Sequence, residues 1–334
     1  MRTDFGQLKD GKKISLYTIE NSQVICKVTD YGATLVSLID KRTGLDVVQG
    51  FDDVEGYVNH DAHMGASIGR TANRIEKGTF SLNDHVYHLP INNNGNSLHG
   101  GDGFDRRKWL AVEEEKQVTF RLTSVDGDQG YPGNLFVSVT YRVVGRGISI
   151  KVEGTTDTTT IFAYTNHSYF NLDQSESALD EVAQIPASQY GLVDANGLTM
   201  NHFENVEGTP FDFRNPKPLG QDIDRDHPQI KNGTGYDHYY PIEGSGLREM
   251  AVVKGKKLSL TMSSDFPGFH LYTANFLDGL KGKNGATYNK RSSFCLEAEY
   301  CPNCINYKDM VEQPIVTADK PSVHEIRFTL KNAK

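Results

Sequence analysis

Alternation with a period of two residues runs through this chain and restricts its fold more than any other feature. Over residues 135–143, Leu135, Val137, Val139, Tyr141 and Val143 fall on one side, and Phe136, Ser138, Thr140 and Arg142 on the other. Ile148, Ile150 and Val152 alternate with Ser149, Lys151 and Glu153. Leu258, Leu260 and Met262 alternate with Ser259 and Thr261, and Ile326, Phe328 and Leu330 with Arg327 and Thr329. Successive side chains of a strand point to opposite faces, so each run describes a strand with one buried face. Turn pairs punctuate the runs: Asp10-Gly11, Asn94-Gly95, Asp126-Gly127, Asn196-Gly197 and Asn284-Gly285. Helical spacing is scarce, and residues 52–60 suit one short helix capped by Asp52. The lack of strand–helix–strand alternation argues against a parallel doubly wound sheet. The expectation is an all-β fold, a large antiparallel β-sandwich with few short helices. No linker, low-complexity tract or fixed-period repeat divides the 334 residues, which predicts a single domain over 1–334.

Composition removes several classes of function. The formal net charge is −8, with no block of like charge and no basic stripe for nucleic acid. No apolar run approaches the roughly 18 residues of a membrane span. The first residues, Met1-Arg2-Thr3-Asp4-Phe5-Gly6, lead into charged sequence rather than an apolar leader, so a cytoplasmic protein is expected. Cys301 and Cys304 have C-x-x-C spacing, but no thioredoxin-like context or second ligand pair accompanies them. With Cys26 and Cys295 they read as reduced thiols.

Three segments carry titratable groups in settings other than a polar loop. Thr165-Asn166-His167-Ser168-Tyr169-Phe170 surrounds an imidazole with amides and hydroxyls, Asn96-Ser97-Leu98-His99-Gly100-Gly101 holds a second, and Phe294-Cys295-Leu296-Glu297 sets a carboxylate in an apolar strand. Nucleophilic hydrolysis lacks its G-x-S-x-G elbow, and Ser168 points away from His167 on a strand. His85 and His88 follow a turn at Asn83-Asp84 and read as solvated; His60 and His63 read as weak ligands at most. No phosphate-cradling loop and no metal constellation appears. What remains is acid–base chemistry without a covalent intermediate. Glu297 is expected either to pair with a cation such as Arg291 or to sit in a pocket with a raised pKa. Asn73 and Arg74 suit a polyhydroxylated ligand, the plainer reading being a surface pair with Glu76. Asp237, among Tyr236, Tyr239 and Tyr240, suits a sugar, the plainer reading being a strand edge.

Taken in order, these segments resemble the aldose 1-epimerases, or galactose mutarotases. The resemblance spans nearly the whole chain: Tyr31-Gly32-Ala33-Thr34-Leu35, Gly50-Phe51-Asp52, residues 69–80, 96–101, Gly130-Tyr131-Pro132-Gly133, 165–172, 235–240, Tyr272-Thr273-Ala274-Asn275-Phe276 and 294–299. It implies a sandwich with an open sugar cleft and interconversion of the α and β anomers of free hexoses, typically galactose and glucose, without a cofactor. It implies Glu297 as general base, His167 as general acid, and His99 as a second active-site histidine. Arg74 and Asp237 would hold sugar hydroxyls, with Asn73 in support. Two positions depart from the family's usual glutamines. Glu299 follows the base by two residues and either shares its face or turns away at a bulge; His270 precedes Tyr272 and alters hydroxyl recognition. Ring opening through an ionised Glu297 and a charged His167 predicts a pH optimum between their two pKa values. The expected partner is a monosaccharide, for a monomer or weak dimer. The competing readings are a hexose-6-phosphate 1-epimerase, using Arg70, Arg106, Arg107 and Lys108 for the phosphate, and a carbohydrate-binding homologue without catalysis. A glycoside hydrolase would have Glu297 and Glu299 as its only nearby pair.

Overall fold

The computed structural model describes residues 1–333 and turns the alternating runs into one broad antiparallel sheet. Its nine strands lie in the order Leu110–Glu114, Gln117–Ser124, Leu135–Val143, Gly147–Thr156, Ser322–Asn332, Leu258–Ser264, Arg248–Lys254, Val182–Gln184 and Lys217–Pro218. The C-terminal strand is the hinge of this order. Ile326 pairs with Ile150 on one side and Ser264 on the other, and Phe328 with Ile148 and Met262. Along Leu135–Val143 the odd positions are buried while Phe136 is 49% exposed, as the alternation requires. Apolar area taken from water contributes roughly 25 cal/mol per Å², so the aliphatic face is what holds this strand's register.

Two four-stranded sheets pack on the inner face of the large one. The first runs Arg2–Gln7, Lys13–Glu20, Val24–Thr29, Thr34–Asp40 in sequence order. The second runs Tyr169–Phe170, Phe294–Glu299, Gly268–Tyr272, Asp237–Pro241. One hydrophobic cluster joins all three, from Val24, Val28 and Leu35 through Val139, Ile150 and Phe328 to Phe269, Leu271, Phe294 and Leu296. The layering is sheet on sheet, the sandwich expected of the pattern.

Helix is confined, among the described residues, to Val54–Val58, Pro228–Gly233 and a few 3₁₀ turns. The first corrects the expected boundaries of 52–60. Asp53, not Asp52, is the N-cap, with its carboxylate accepting from Gly56 N. Asp52 instead accepts from Asn284 N across the surface. The Asn83-Asp84 turn forms as expected between Thr79–Leu82 and His85–His88, with φ +49° and +62° at the two turn residues. No helix among the described residues is long and apolar enough to cross a membrane. All four cysteines are free and buried.

Candidate active site

The second four-stranded sheet has a core face and a cleft face, and strand periodicity sorts its residues between them. Phe294, Leu296 and Ala298 join the main core, which turns Cys295, Glu297 and Glu299 to the opposite side. His270 is the direct antiparallel partner of Glu297, and Tyr272 that of Cys295. Across the next pair Asp237 faces Tyr272, and Tyr239 faces His270. Partners across a ladder share a face, so Asp237, His270 and Glu297 converge although 60 residues of sequence span 237 and 297.

His167 arrives from the side. It lies between strand Thr165–Asn166, which pairs with Ser67–Ile68, and strand Tyr169–Phe170, which pairs with Phe294–Cys295. Its backbone N–H donates to Ala66 O at 3.0 Å, and its carbonyl accepts from Gly65 N at 2.9 Å. The ring stacks on Tyr169 with centroids 5.2 Å apart, and Nε2 lies 3.5 Å from Glu297 Oε2. His99 follows strand Ser97–Leu98, which pairs with Arg74–Ile75. Its N–H donates to Asn73 O at 3.0 Å, and its Nδ1 accepts from Asn73 N at 3.2 Å. Its ring meets that of His167 edge-on at 5.4 Å.

All seven expected residues line one cleft of about 400 Å³: Asn73, Arg74, His99, His167, Asp237, His270 and Glu297. Tyr169, Tyr272 and Phe276 supply aromatic walls, and Phe276 is 65% exposed at the rim. The plainer alternatives for Glu297 and Arg74 fail, while Asp237 does open an edge strand, Asp237–Pro241, and still lines the cleft. Arg291 pairs with Asp224 rather than Glu297. Glu76 pairs with Lys77, while Arg74 donates from Nε to Asn93 Oδ1 at 2.9 Å and from Nη1 to Gly197 O at 3.0 Å. Asp237 accepts from His270 Nε2 at 2.7 Å. The amide of Asn73 lies 3.4 Å from His270 Nδ1, which fixes the His270 ring between an amide and a carboxylate.

One residue corrects the expectation outright. His63, read as a weak ligand in a polar loop, lines the cleft with its ring 4.7 Å from that of His99 and 6.1 Å from that of His167. Its partner Asp105 stands 42 positions away, which no local pattern signals. The only hint in the sequence is Met64 and Ala66 just beyond it, apolar residues that carry the loop inward.

Burial governs the site's proton affinities. It pushes Glu297 well above the usual carboxylate range; Asp237 adds to the rise and Arg74 opposes it. Burial, then Glu297 and Asp237, push Glu299 up likewise. His167 is driven down to about 3 by burial and by the neighbouring His63, and His99 well below its ordinary value by burial and its neighbouring histidines. Burial alone would raise Asp237, but the His270 hydrogen bond and the charges of His270 and Arg74 bring it below its ordinary value. Among the described residues one group of possible metal donors comes together, His167, Cys295 and Glu297, with donor atoms within 4.8 Å of one another. Two of these three, His167 and Glu297, meet at 3.5 Å.

Fold and site together define an all-β enzyme with an imidazole and a carboxyl group in contact in a polar cleft. The sequence model of the aldose 1-epimerase family matches residues 15–329, and the chain belongs to that family. It is 38% identical over 316 residues to a galactose mutarotase of Bos taurus, covering 91% of each chain. It is 35% identical over 310 residues to an aldose 1-epimerase of Haemophilus influenzae, covering 90% of each. Among solved structures, a galactose 1-epimerase from Lactobacillus acidophilus superposes with a TM-score of 0.88 at 26% identity, covering 100% of this chain and 99% of that one. An aldose epimerase homologue from C. elegans gives 0.88 at 27%, covering 96% and 99%.

Proposed function

We propose that this chain is an aldose 1-epimerase that interconverts the anomers of free hexoses such as galactose and glucose, with Glu297 and His167 as its proton-transfer pair. One observation carries this assignment of roles: the two side chains meet at 3.5 Å on the wall of a cleft that also holds Asn73, Arg74, Asp237 and His270. Glu297 takes the proton of the C1 hydroxyl while His167 delivers one to the ring oxygen. The C1–O5 bond breaks to give the open aldehyde. Rotation about C1–C2 offers the other carbonyl face, and the reverse transfers close the ring. Each positioned proton transfer is worth about 10²–10⁴-fold.

Burial by itself favours the opposite proton arrangement. Burial leaves His167 neutral and lets Glu297 keep a proton, so the pair holds one proton between them with the carboxylate as its preferred seat. Moving that proton from Oε2 to Nε2 across 3.5 Å gives the competent form. Activity therefore follows the presence of one shared proton. Its acid limb belongs to the second protonation of the pair, with His167 drawn down to about 3, and its alkaline limb to loss of the proton that Glu297 holds above its ordinary range. We expect kcat/KM to hold between about pH 6.5 and 5, where an ordinary imidazole near 6.5 would titrate, and to fall on the alkaline side. An acid limb at the ordinary histidine value would overturn the assignment.

The test of the function is polarimetry on freshly dissolved α-D-galactose. Glu297→Gln is expected to lose nearly all acceleration, about 10²-fold or more, while still binding the sugar. Unchanged turnover in that variant removes Glu297 from its role. The phosphate reading is disfavoured because its cations are engaged elsewhere. Arg70 is buried against Ser124, Pro132 and Thr160, Arg106 pairs with Asp61, Arg107 with Asp128, and Lys108 Nζ donates to Lys13 O. We further infer that 1–334 works as one unit, because Asn73 and Arg74, His167, and Glu297 come from its first, middle and last thirds. Four unpaired cysteines support a reducing, cytoplasmic setting.

A further inference from the structure

His63 enters the cleft from the loop after helix Val54–Val58 with φ +53°. A residue with a Cβ persists in that left-handed region only where its surroundings hold it, and such positions gather at functional sites. Here the surroundings are explicit. The His63 carbonyl accepts from Ala66 N at 3.1 Å, and Ala66 O in turn accepts the N–H of His167 at 3.0 Å, so the loop is built onto the backbone of His167. On the ring, Nδ1 lies 2.8 Å from Asp105 Oδ2, a carboxylate whose side chain is only 6% exposed.

These contacts set the tautomers of two adjoining rings. A carboxylate oxygen accepts, so Asp105 Oδ2 takes the Nδ1–H of His63, and in the neutral ring Nε2 carries the lone pair. His99 is the complement: its Nδ1 accepts from Asn73 N at 3.2 Å, so its proton is on Nε2. The rings meet edge-on at 4.7 Å, and both line the cleft. One offers a donor and the other an acceptor. A hydroxyl is both at once, so a single sugar hydroxyl against the two rings satisfies the pair. A ligand lacking that hydroxyl leaves two ring nitrogens of the cleft unpaired beneath it, which is how a polar site rejects deoxy analogues.

We propose that His63, held by Asp105, is a specificity-determining residue of the cleft, accepting a hydrogen bond from one hexose hydroxyl to which His99 donates. This rests on the hexose reading above, and it is tested without turnover. Calorimetric binding of galactose and of each of its monodeoxy analogues is measured on the wild type, His63→Phe, His63→Gln and Asp105→Asn. Phenylalanine keeps the ring's volume and removes its nitrogens. One analogue is expected to bind the wild type about tenfold more weakly than galactose, and His63→Phe to weaken galactose by about the same factor. That same analogue binds wild type and His63→Phe alike, because the hydroxyl and its acceptor are lost together. His63→Gln recovers part of the affinity through its amide oxygen. Asp105→Asn weakens galactose in the same direction by a smaller factor.

Wild-type affinity for galactose in His63→Phe overturns the proposal, as does a uniform loss across every analogue. If His63→Phe does not fold, the same cycle is read on His63→Gln and Asp105→Asn. A wild-type protein that binds galactose but does not speed its mutarotation sinks the epimerase reading and leaves the binding cycle to decide on His63. One that binds no hexose sinks both.

Discussion

At the scale of single residues, the site is governed by an excess of buried carboxylates. Asp237, Glu297 and Glu299 share one region with Arg74 and His270. Glu299 is 1% exposed, and neither carboxyl oxygen has a hydrogen-bond partner; His270 Nδ1 stands 3.8 Å away. The strand carries no bulge here, since Glu299 pairs with Gly268 in the same register that pairs Glu297 with His270. Of the two orientations open from the sequence, the shared face is the one adopted. Glu299→Gln replaces a carboxyl that burial and Glu297 hold above its ordinary range with an amide that cannot ionise. The rise of Glu297 comes from burial and Asp237, so the alkaline limb of kcat/KM should stay in place. Chemical denaturation at about pH 8 should show a gain that shrinks towards about pH 4.3, because the amide takes up no charge on unfolding. A displaced alkaline limb would mean that Glu299 also sets the ionisation of Glu297. Glu297, His167 and His99 stood out from their segments, and the fold brings them to one cleft; the bond of Asp237 to His270 was not legible, since it crosses two strands separated by 33 positions.

At the scale of elements, the long strands were legible and the short ones were not. Leu135–Val143 and Ser322–Asn332 are long enough for alternation to repeat. Thr165–Asn166, Arg74–Ile75 and Ser97–Leu98 have two residues each and leave no period to read, yet they position His167, Arg74 and His99. Their geometry comes from backbone packing instead. Gly100, with φ +77°, lies against the backbone of Gly69 and Arg70, and a Cβ there would stand 2.4 Å from Gly69 O. Nothing in that contact can rotate away. Gly100→Ala is expected to cost about 1–3 kcal/mol through strain at a special backbone position. It should also raise the KM for galactose by displacing His99. A variant with wild-type melting and wild-type KM would show that this loop yields freely.

For the whole molecule, buried ionisable groups set the pH range of stability. His99, His167 and His238 are all lowered by burial, the last two to about 3. Groups lowered in the fold contribute stability that is present above their unfolded value, about 6.5, and is lost as pH falls below it. Glu181, Glu297 and Glu299 are raised by burial, the first to about 8. Their contribution is present below the unfolded value, about 4.3, and is lost as pH rises towards the folded one. Between about 4.3 and 6.5 the two sets oppose each other with similar slopes. The melting temperature should therefore peak on the mildly acidic side of neutrality, drop steeply below about pH 4 and decline above about pH 7. Melting curves that rise steadily from pH 6.5 to 8 would contradict this balance.

The strand Phe294–Glu299 has a last consequence. Leucine and glutamate stand next to each other on it, one turned to oil and one to sugar. Sliding the strand by a single step would trade these places along its whole length. The chain thus has no way to be correctly compacted yet mispaired here. In a refolding experiment, catalytic power should return in step with the emission of the lone tryptophan, Trp109, with no dead but native-looking fraction left behind.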